Sequence, residues 1–203
     1  MYSSDLEAGV NHNGDLKRAL AMVDVAAKAG ADAIKFQTFR ADAIAAAGAP
    51  LARYQRRALK SHRSQRDMLK ALELSSTAHA HIARACRRAH IEFMSTPFDP
   101  ESARFLIKNI GVRRLKVASG EISNAPLLLQ MARSRLPIVL STGMSTLADV
   151  RAALGVLAFG MSAPMNAAPS RAAFVAAFRS RAGRAALKKR VTLLHCTSEY
   201  PAP

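Results

Sequence analysis

Two lysines stand where apolar, strand-like runs would bury them: Lys35 in AIKFQT and Lys116 in RLKVASGE. An ammonium inside such a run is costly to desolvate unless it meets an anion. Each lysine can snorkel its charge out at the strand end, bind a phosphate, or serve as a Schiff-base nucleophile. Other reactive types cluster beside them. Glu7 and Glu121 can pair with the lysines or move protons. Ser119-Gly120 and Ser141-Thr142-Gly143 offer hydroxyls and backbone N–H groups to phosphate oxygens. His12 in NHNG and His195 in LLHCTS are metal-ligand types, but two histidines do not complete a site. His79 and His81 in AHAHIA are two apart on a helix and face different ways, so they are set aside. Cys196 has no evident activating base and reads as an inert core thiol.

The elements that must position these groups repeat one pattern. An apolar run ends in a polar cluster, and a helical stretch follows. The runs start at Leu6, Ala33, Ile91, Arg114, Pro137 and Val191. The last, VTLL, reads as a buried strand opening into HCTSEY. Leu16, Leu20, Val23 and Ala27 share one helix face, Gly30 is a C-terminal cap, and Thr146 to Asp149 forms a capping box. Strand alternating with helix implies parallel strands joined by crossovers. A doubly wound sheet would carry a glycine-rich first turn, and NHNGD is not one. Polar residues at every strand end instead predict an α/β fold of (β/α)8 TIM-barrel type. Six of the eight βα units can be counted, which makes residues 1–203 a partial barrel domain.

With 203 residues, half of them apolar, the chain can bury a core. It holds no run near the roughly 20 apolar residues of a membrane span. MYSSDLEAG has no signal-peptide character, and two cysteines make no disulfide framework, so the expected location is cytoplasmic. A net charge of +16 attracts anions. Without tryptophan or aromatic-plus-basic strands, a nucleic-acid partner is not expected. Residues 40–75 read as a helical or loop insertion. Residues 156–190 read as a basic Ala/Arg-rich insertion, whose 171–190 part holds seven basic residues and no acid. That part is predicted to be one solvated cationic helix.

GVNHNGD, IKFQT, FMSTPFD, KVASGEI, STGM and HCTSEYPAP follow one another in this order. Together they resemble the N-acetylneuraminate (sialic acid) synthase family, which includes legionaminate and pseudaminate synthases. The resemblance implies a barrel that condenses phosphoenolpyruvate with N-acetylmannosamine or a related N-acetylated aldehyde sugar. The products are a nonulosonic acid and phosphate. It implies Lys35, Lys116, Ser119 and Ser141 as holders of phosphoenolpyruvate, and Glu7 and Glu121 as groups that position water or shuttle protons. Gln37, Ser198 and Tyr200 would contact the sugar, though some members carry Asn where Ser198 stands. Thr96 and Phe98 would line the pocket. It also implies a divalent metal, Mn²⁺ or Mg²⁺, acting as a Lewis acid on the aldehyde, and a homodimer. By the same resemblance the two metal histidines, the last barrel strands and an antifreeze-like domain lie beyond Pro203.

Two other readings fit the residues alone. One is a barrel aldolase using Lys35 or Lys116 as a Schiff-base nucleophile. The other is a non-catalytic fragment whose cationic 171–190 segment binds a membrane, nucleic acid or partner.

Overall fold

The computed structural model describes residues 4–50 and 64–197. Its backbone divides into two compact units, residues 1–110 and 111–203. Each holds a three-stranded, fully parallel sheet. The architecture is therefore α/β, with helices in the crossovers as the alternation requires.

In the first unit the strands are β1 (Asp5–Gly9), β2 (Ala33–Thr38) and β3 (Glu92–Pro97), in that order. Between and after them come α1 (Leu16–Lys28), α2 (Ala41–Ile44), α3 (Gln65–Leu72), α4 (Ser76–Arg88) and α5 (Pro100–Phe105). A π-helical turn, Leu106–Ile110, closes the unit. The Asp15 carboxylate starts α1 by accepting the Lys17 N–H at 2.7 Å. Gly30, at φ +75°, ends it. Gly30 N–H donates to Ala27 O and Ala31 N–H to Ala26 O, which satisfies the last carbonyls. The face turned inward is Ala19, Val23 and Ala26, one step round from the predicted Leu16, Leu20 and Ala27. The alanines let the helix lie close to the sheet, and the leucines flank the contact half-buried.

Alternation along β2 sorts its side chains. Ile34, Phe36 and Thr38 turn to the helices, while Lys35 and Gln37 turn the other way. The register pairs Lys35 with Met94, Phe36 with Ser95 and Gln37 with Thr96. On the helix side Phe36 stacks on Phe93 at 5.8 Å between centroids. Strand β3 runs further than its apolar run, so Ser95 and Thr96 lie inside it.

In the second unit the strands are β4 (Leu115–Val117), β5 (Ile138–Ser141) and β6 (Val191–Leu194), again in chain order. The helices are α6 (Ala125–Arg133), α7 (Leu147–Ser162), α8 (Arg171–Arg179) and α9 (Arg181–Arg190). Leu115, Leu127, Leu128, Met131, Ile138, Leu140 and Leu157 are fully buried and form the core. The predicted capping box holds: Thr146 Oγ1 accepts the Asp149 N–H, and Asp149 accepts the Thr146 N–H.

Three expectations change here. Strand β6 is not buried: Leu193 is 47% exposed and Leu194 40%. It is the last strand of its sheet, and among the described residues it pairs with β5 alone. Residues 156–161 are buried in the second half of α7. The 171–190 segment is two helices broken at Ser180, not one. Ser180 Oγ donates to Ala177 O and accepts the Gly183 N–H, both at 2.9 Å, so it ends α8 and starts α9. A β-carbon on Gly183 would lie 1.9 Å from Ala177 O, so the corner admits only glycine. Nor is the segment free of the core. Phe174 packs edge-on against Phe159 of α7 at 5.3 Å.

Candidate functional site

Glu7, Lys35, Gln37 and Thr96 lie together in the first unit, and Lys116 with Ser141 in the second. In the first unit Lys35 forms a salt bridge with Glu7 of β1. The Lys35 side chain is 12% exposed and that of Glu7 53%, so the pair holds a nearly buried ammonium against a carboxylate open to solvent. Lys35 Nζ also donates to Thr96 Oγ1 at 3.4 Å. Gln37 lies one alternation further along β2, on the same face. Gly9 sits between the acid and the amide. A β-carbon there would lie 3.3 Å from Glu7 Oε1 and 3.7 Å from Gln37 Nε2. Its φ of +51° follows the register shift between Glu7 and Gly9. Glu7, Lys35, Gln37 and Thr96 thus form one polar face. Phe98 stands apart, half-buried and edge-on to Phe39 at 6.4 Å.

The NHNG turn after β1 is built on His12. Its ring is buried, and Nδ1 accepts the Gly14 N–H at 3.0 Å. Nε2 finds no hydrogen-bond partner among the described residues. Burial and the nearby His79 push the His12 pKa down against the pull of the Gly9 carbonyl. Gly14, at φ +75°, meets α3 so closely that a β-carbon would lie 2.3 Å from Ala71 O. His12 therefore braces a tight turn.

In the second unit Lys116 is buried and donates to Ser141 Oγ at 2.5 Å and to Val117 O at 2.8 Å. Ser119 opens a short 3₁₀ turn, Ser119–Glu121, and accepts the Gly143 N–H at 2.9 Å. Glu121 accepts from the Asn124 side chain at 2.7 Å. A β-carbon at Gly143 would lie 3.0 Å from Ser119 Oγ and 3.1 Å from Cys196 O, so only glycine brings this backbone in so close.

Cys196 corrects the inert-thiol expectation. It is half-buried, with Sγ 3.5 Å from Ser119 Oγ. Burial works to raise its pKa. Hydrogen bonds from Ser119, Ser141 and the Thr142 and Gly143 N–H groups outweigh that and bring it to about 7. The activating groups are hydroxyls and amides rather than a base, so a search for a base missed them. Cys86 is the contrast: burial pushes its thiol up to about 12.

His79 does face away from His81, but it faces inward. Its Nδ1 lies 3.1 Å from Ser75 O, which can only accept, so Nδ1 carries the hydrogen. Nε2 then accepts from Thr38 Oγ1 at 3.0 Å, and Thr38 accepts from Ser95 at 2.6 Å. Burial keeps His79 below its ordinary pKa. The signal was present in the spacing, since positions 79, 82, 83 and 86 share one face. A cavity of about 510 Å³ opens on this helix side of the unit, lined by Thr38, Arg40, Ser75, His79 and Arg104 among others.

Ser198 and Tyr200 lie outside the described residues. His195 is exposed after β6. Among the described residues no group of three or more His, Cys, Asp or Glu could hold a metal ion. The described residues therefore do not make a metal site by themselves. No described helix is long and apolar enough to cross a membrane.

Both clusters place cations and small donors at strand C-terminal ends, where barrel synthases place their chemistry. The NeuB family model matches residues 22–203. The chain belongs to the NeuB family. It is 42% identical over 198 residues to the N,N'-diacetyllegionaminic acid synthase of Legionella pneumophila, covering 97% of this chain and 49% of that protein. It is 39% identical over 197 residues to the Campylobacter jejuni synthase of the same name, covering 97% and 52%. Among solved structures, the N-acetylneuraminic acid (sialic acid) synthetase of Leptospira borgpetersenii in complex with citrate superposes with a TM-score of 0.71 at 29% identity. It covers 98% of this chain and 55% of that one. The fold class is the α/β, TIM-barrel type expected from the sequence. The chain spans about half the length of the curated relatives it matches.

Proposed function

We propose that this NeuB-family chain is the phosphoenolpyruvate-binding part of a nonulosonic acid synthase, a transferase that forms a C–C bond. The reaction joins carbon 3 of phosphoenolpyruvate to the aldehyde carbon of an N-acetylated sugar. Water adds at carbon 2, and phosphate leaves. The observation that carries this reading is the second cluster. Lys116 bonded to Ser141, and Ser119 bonded to the Gly143 N–H, bring together groups that would serve as an anion-binding set, in a family whose relatives make legionaminic acid. Such donors favour the phosphate and carboxylate of a trianionic substrate. Glu7, held by Lys35, is placed for proton transfer, with Gln37 and Thr96 beside it to orient the sugar. Glu121 is a second candidate for positioning water. Ser198 and Tyr200 remain proposed sugar contacts, and Phe98 a wall of the pocket.

Identity to the legionaminic acid synthases favours a diacetylated aldehyde sugar over plain N-acetylmannosamine. The chain is read as one partial barrel domain of a cytoplasmic protein that dimerises. In the lysine-aldolase reading an amine must be free to attack. Here Lys35 is ion-paired and Lys116 is bonded to a carbonyl and a hydroxyl, which suits anion binding instead. The test is calorimetric titration of the chain with phosphoenolpyruvate, then phosphate release with each sugar. Saturable binding weakened at least tenfold by Lys116→Ala, and phosphate release that is faster with the diacetylated sugar, are expected. A folded chain that binds no phosphoenolpyruvate overturns the reading.

A further inference from the structure

We propose that the N-terminal edge of the second sheet is a docking surface for an anionic lipid bilayer. The sheet brings together cations from three distant segments. Arg113 and Arg114 precede β4, Arg135 precedes β5, and Lys188, Lys189 and Arg190 end α9 just before β6. Leu115, Ile138 and Val191 stand level in the register, so these six residues share one edge about 10 Å across. The Arg190 guanidinium donates to the Arg135 carbonyl and ties two of the segments together. Arg113, Arg135, Lys188 and Lys189 are exposed.

Acids are segregated to the other end. Glu121 and Asp149, the acids among described residues 111–197, follow β4 and β5 respectively. No acid at all occurs from Val150 to Ser198. Like charges crowded this way repel, and an anionic surface relieves the repulsion. Met165 adds an apolar anchor. It is 59% exposed, in the turn whose Ala167 carbonyl accepts from Arg133, at the end of α6 that leads into β5. Among the described residues none of the six cations has an aromatic next to it in the chain, and Phe174 of α8 is packed on Phe159. That favours lipid headgroups over a nucleic acid. No described helix can span a bilayer, so the contact is peripheral. It leaves Ser119, Ser141 and Cys196 at the opposite end of the strands, and it does not depend on the proposed reaction.

The test is co-sedimentation of the chain with vesicles of phosphatidylglycerol and phosphatidylcholine, against phosphatidylcholine alone. Binding to the anionic vesicles that weakens steeply between low and high salt is expected. The variant R113Q/R135Q/K188Q/K189Q is expected to lose on the order of 600-fold in partitioning, at about fivefold per cation. The equal-charge control K17Q/R18Q/R104Q/R151Q, which changes exposed cations elsewhere, is expected to lose less than about tenfold. M165S is expected to lose a few-fold at high salt. Equal losses in the two quadruple variants overturn the proposal, because net charge alone then explains binding. Equal binding to neutral vesicles, or tighter binding to duplex DNA than to anionic vesicles, overturns it as well.

Discussion

The two buried lysines meet their burial cost in different ways. Lys35 lies against a carboxylate, so its cluster is nearly neutral. Lys116 lies against the Ser141 hydroxyl and the Val117 carbonyl. A charge with a partner on hand handles protons and polar groups. A charge set beside hydroxyls suits the binding of an anion. The same residue type, in the same kind of strand, is thus given two tasks by its neighbours.

The donor-rich character of the second cluster is sharpened most by its thiol. At pH 7 about half of Cys196 is thiolate, while Cys86, at about 12, is almost wholly protonated. Iodoacetamide labelling followed by mass spectrometry is expected to modify Cys196 more than about 1,000-fold faster than Cys86. Because the Cys196 pKa is lowered to about 7, its rate falls only about fivefold from pH 7 to pH 6, against about tenfold for an ordinary thiol. Equal rates would remove the donor cluster as a cause. Next, Lys116→Ala is expected to weaken phosphoenolpyruvate binding by roughly 10- to 150-fold, since hydrogen bonds to charged groups carry about 1.5–3 kcal/mol. Lys35→Ala should cost clearly less, because Lys35 already has its counter-ion. A calorimetric result with the order reversed would break the comparison.

A third contrast is structural. Gly183→Ala forces a β-carbon onto Ala177 O and is expected to destabilise by about 1–3 kcal/mol in urea unfolding. At Gly30, whose surroundings are open, Ala should cost only about 1 kcal/mol for its positive φ. The smallest effect on phosphoenolpyruvate affinity belongs to Glu7→Gln. It removes the carboxylate but leaves Lys35 cationic, so phosphoenolpyruvate affinity should change by less than about threefold while phosphate release falls by about 100-fold or more.

Much of this was legible because charge inside an apolar run is a loud signal. Lys35, Lys116 and the strand-end serines stood out by type alone. The strands were legible too, as apolar runs of four to six residues. What escaped depended on partners. The fate of VTLL turns on being the last strand of its sheet, which no local pattern records. The break at Ser180 hid among helix-forming Ala and Arg, although a serine three residues before a glycine is a cap signal. His79 was lost by asking only whether two histidines meet each other. Cys196 was lost by asking only for a base.

Strand β6 carries a practical consequence. Two exposed leucines sit on a strand that, among the described residues, is paired along one side. Such an edge is a template on which another chain can add a strand. Samples of this chain should therefore lose monodispersity with rising concentration, and light scattering should grow faster for the native sequence than for L193K.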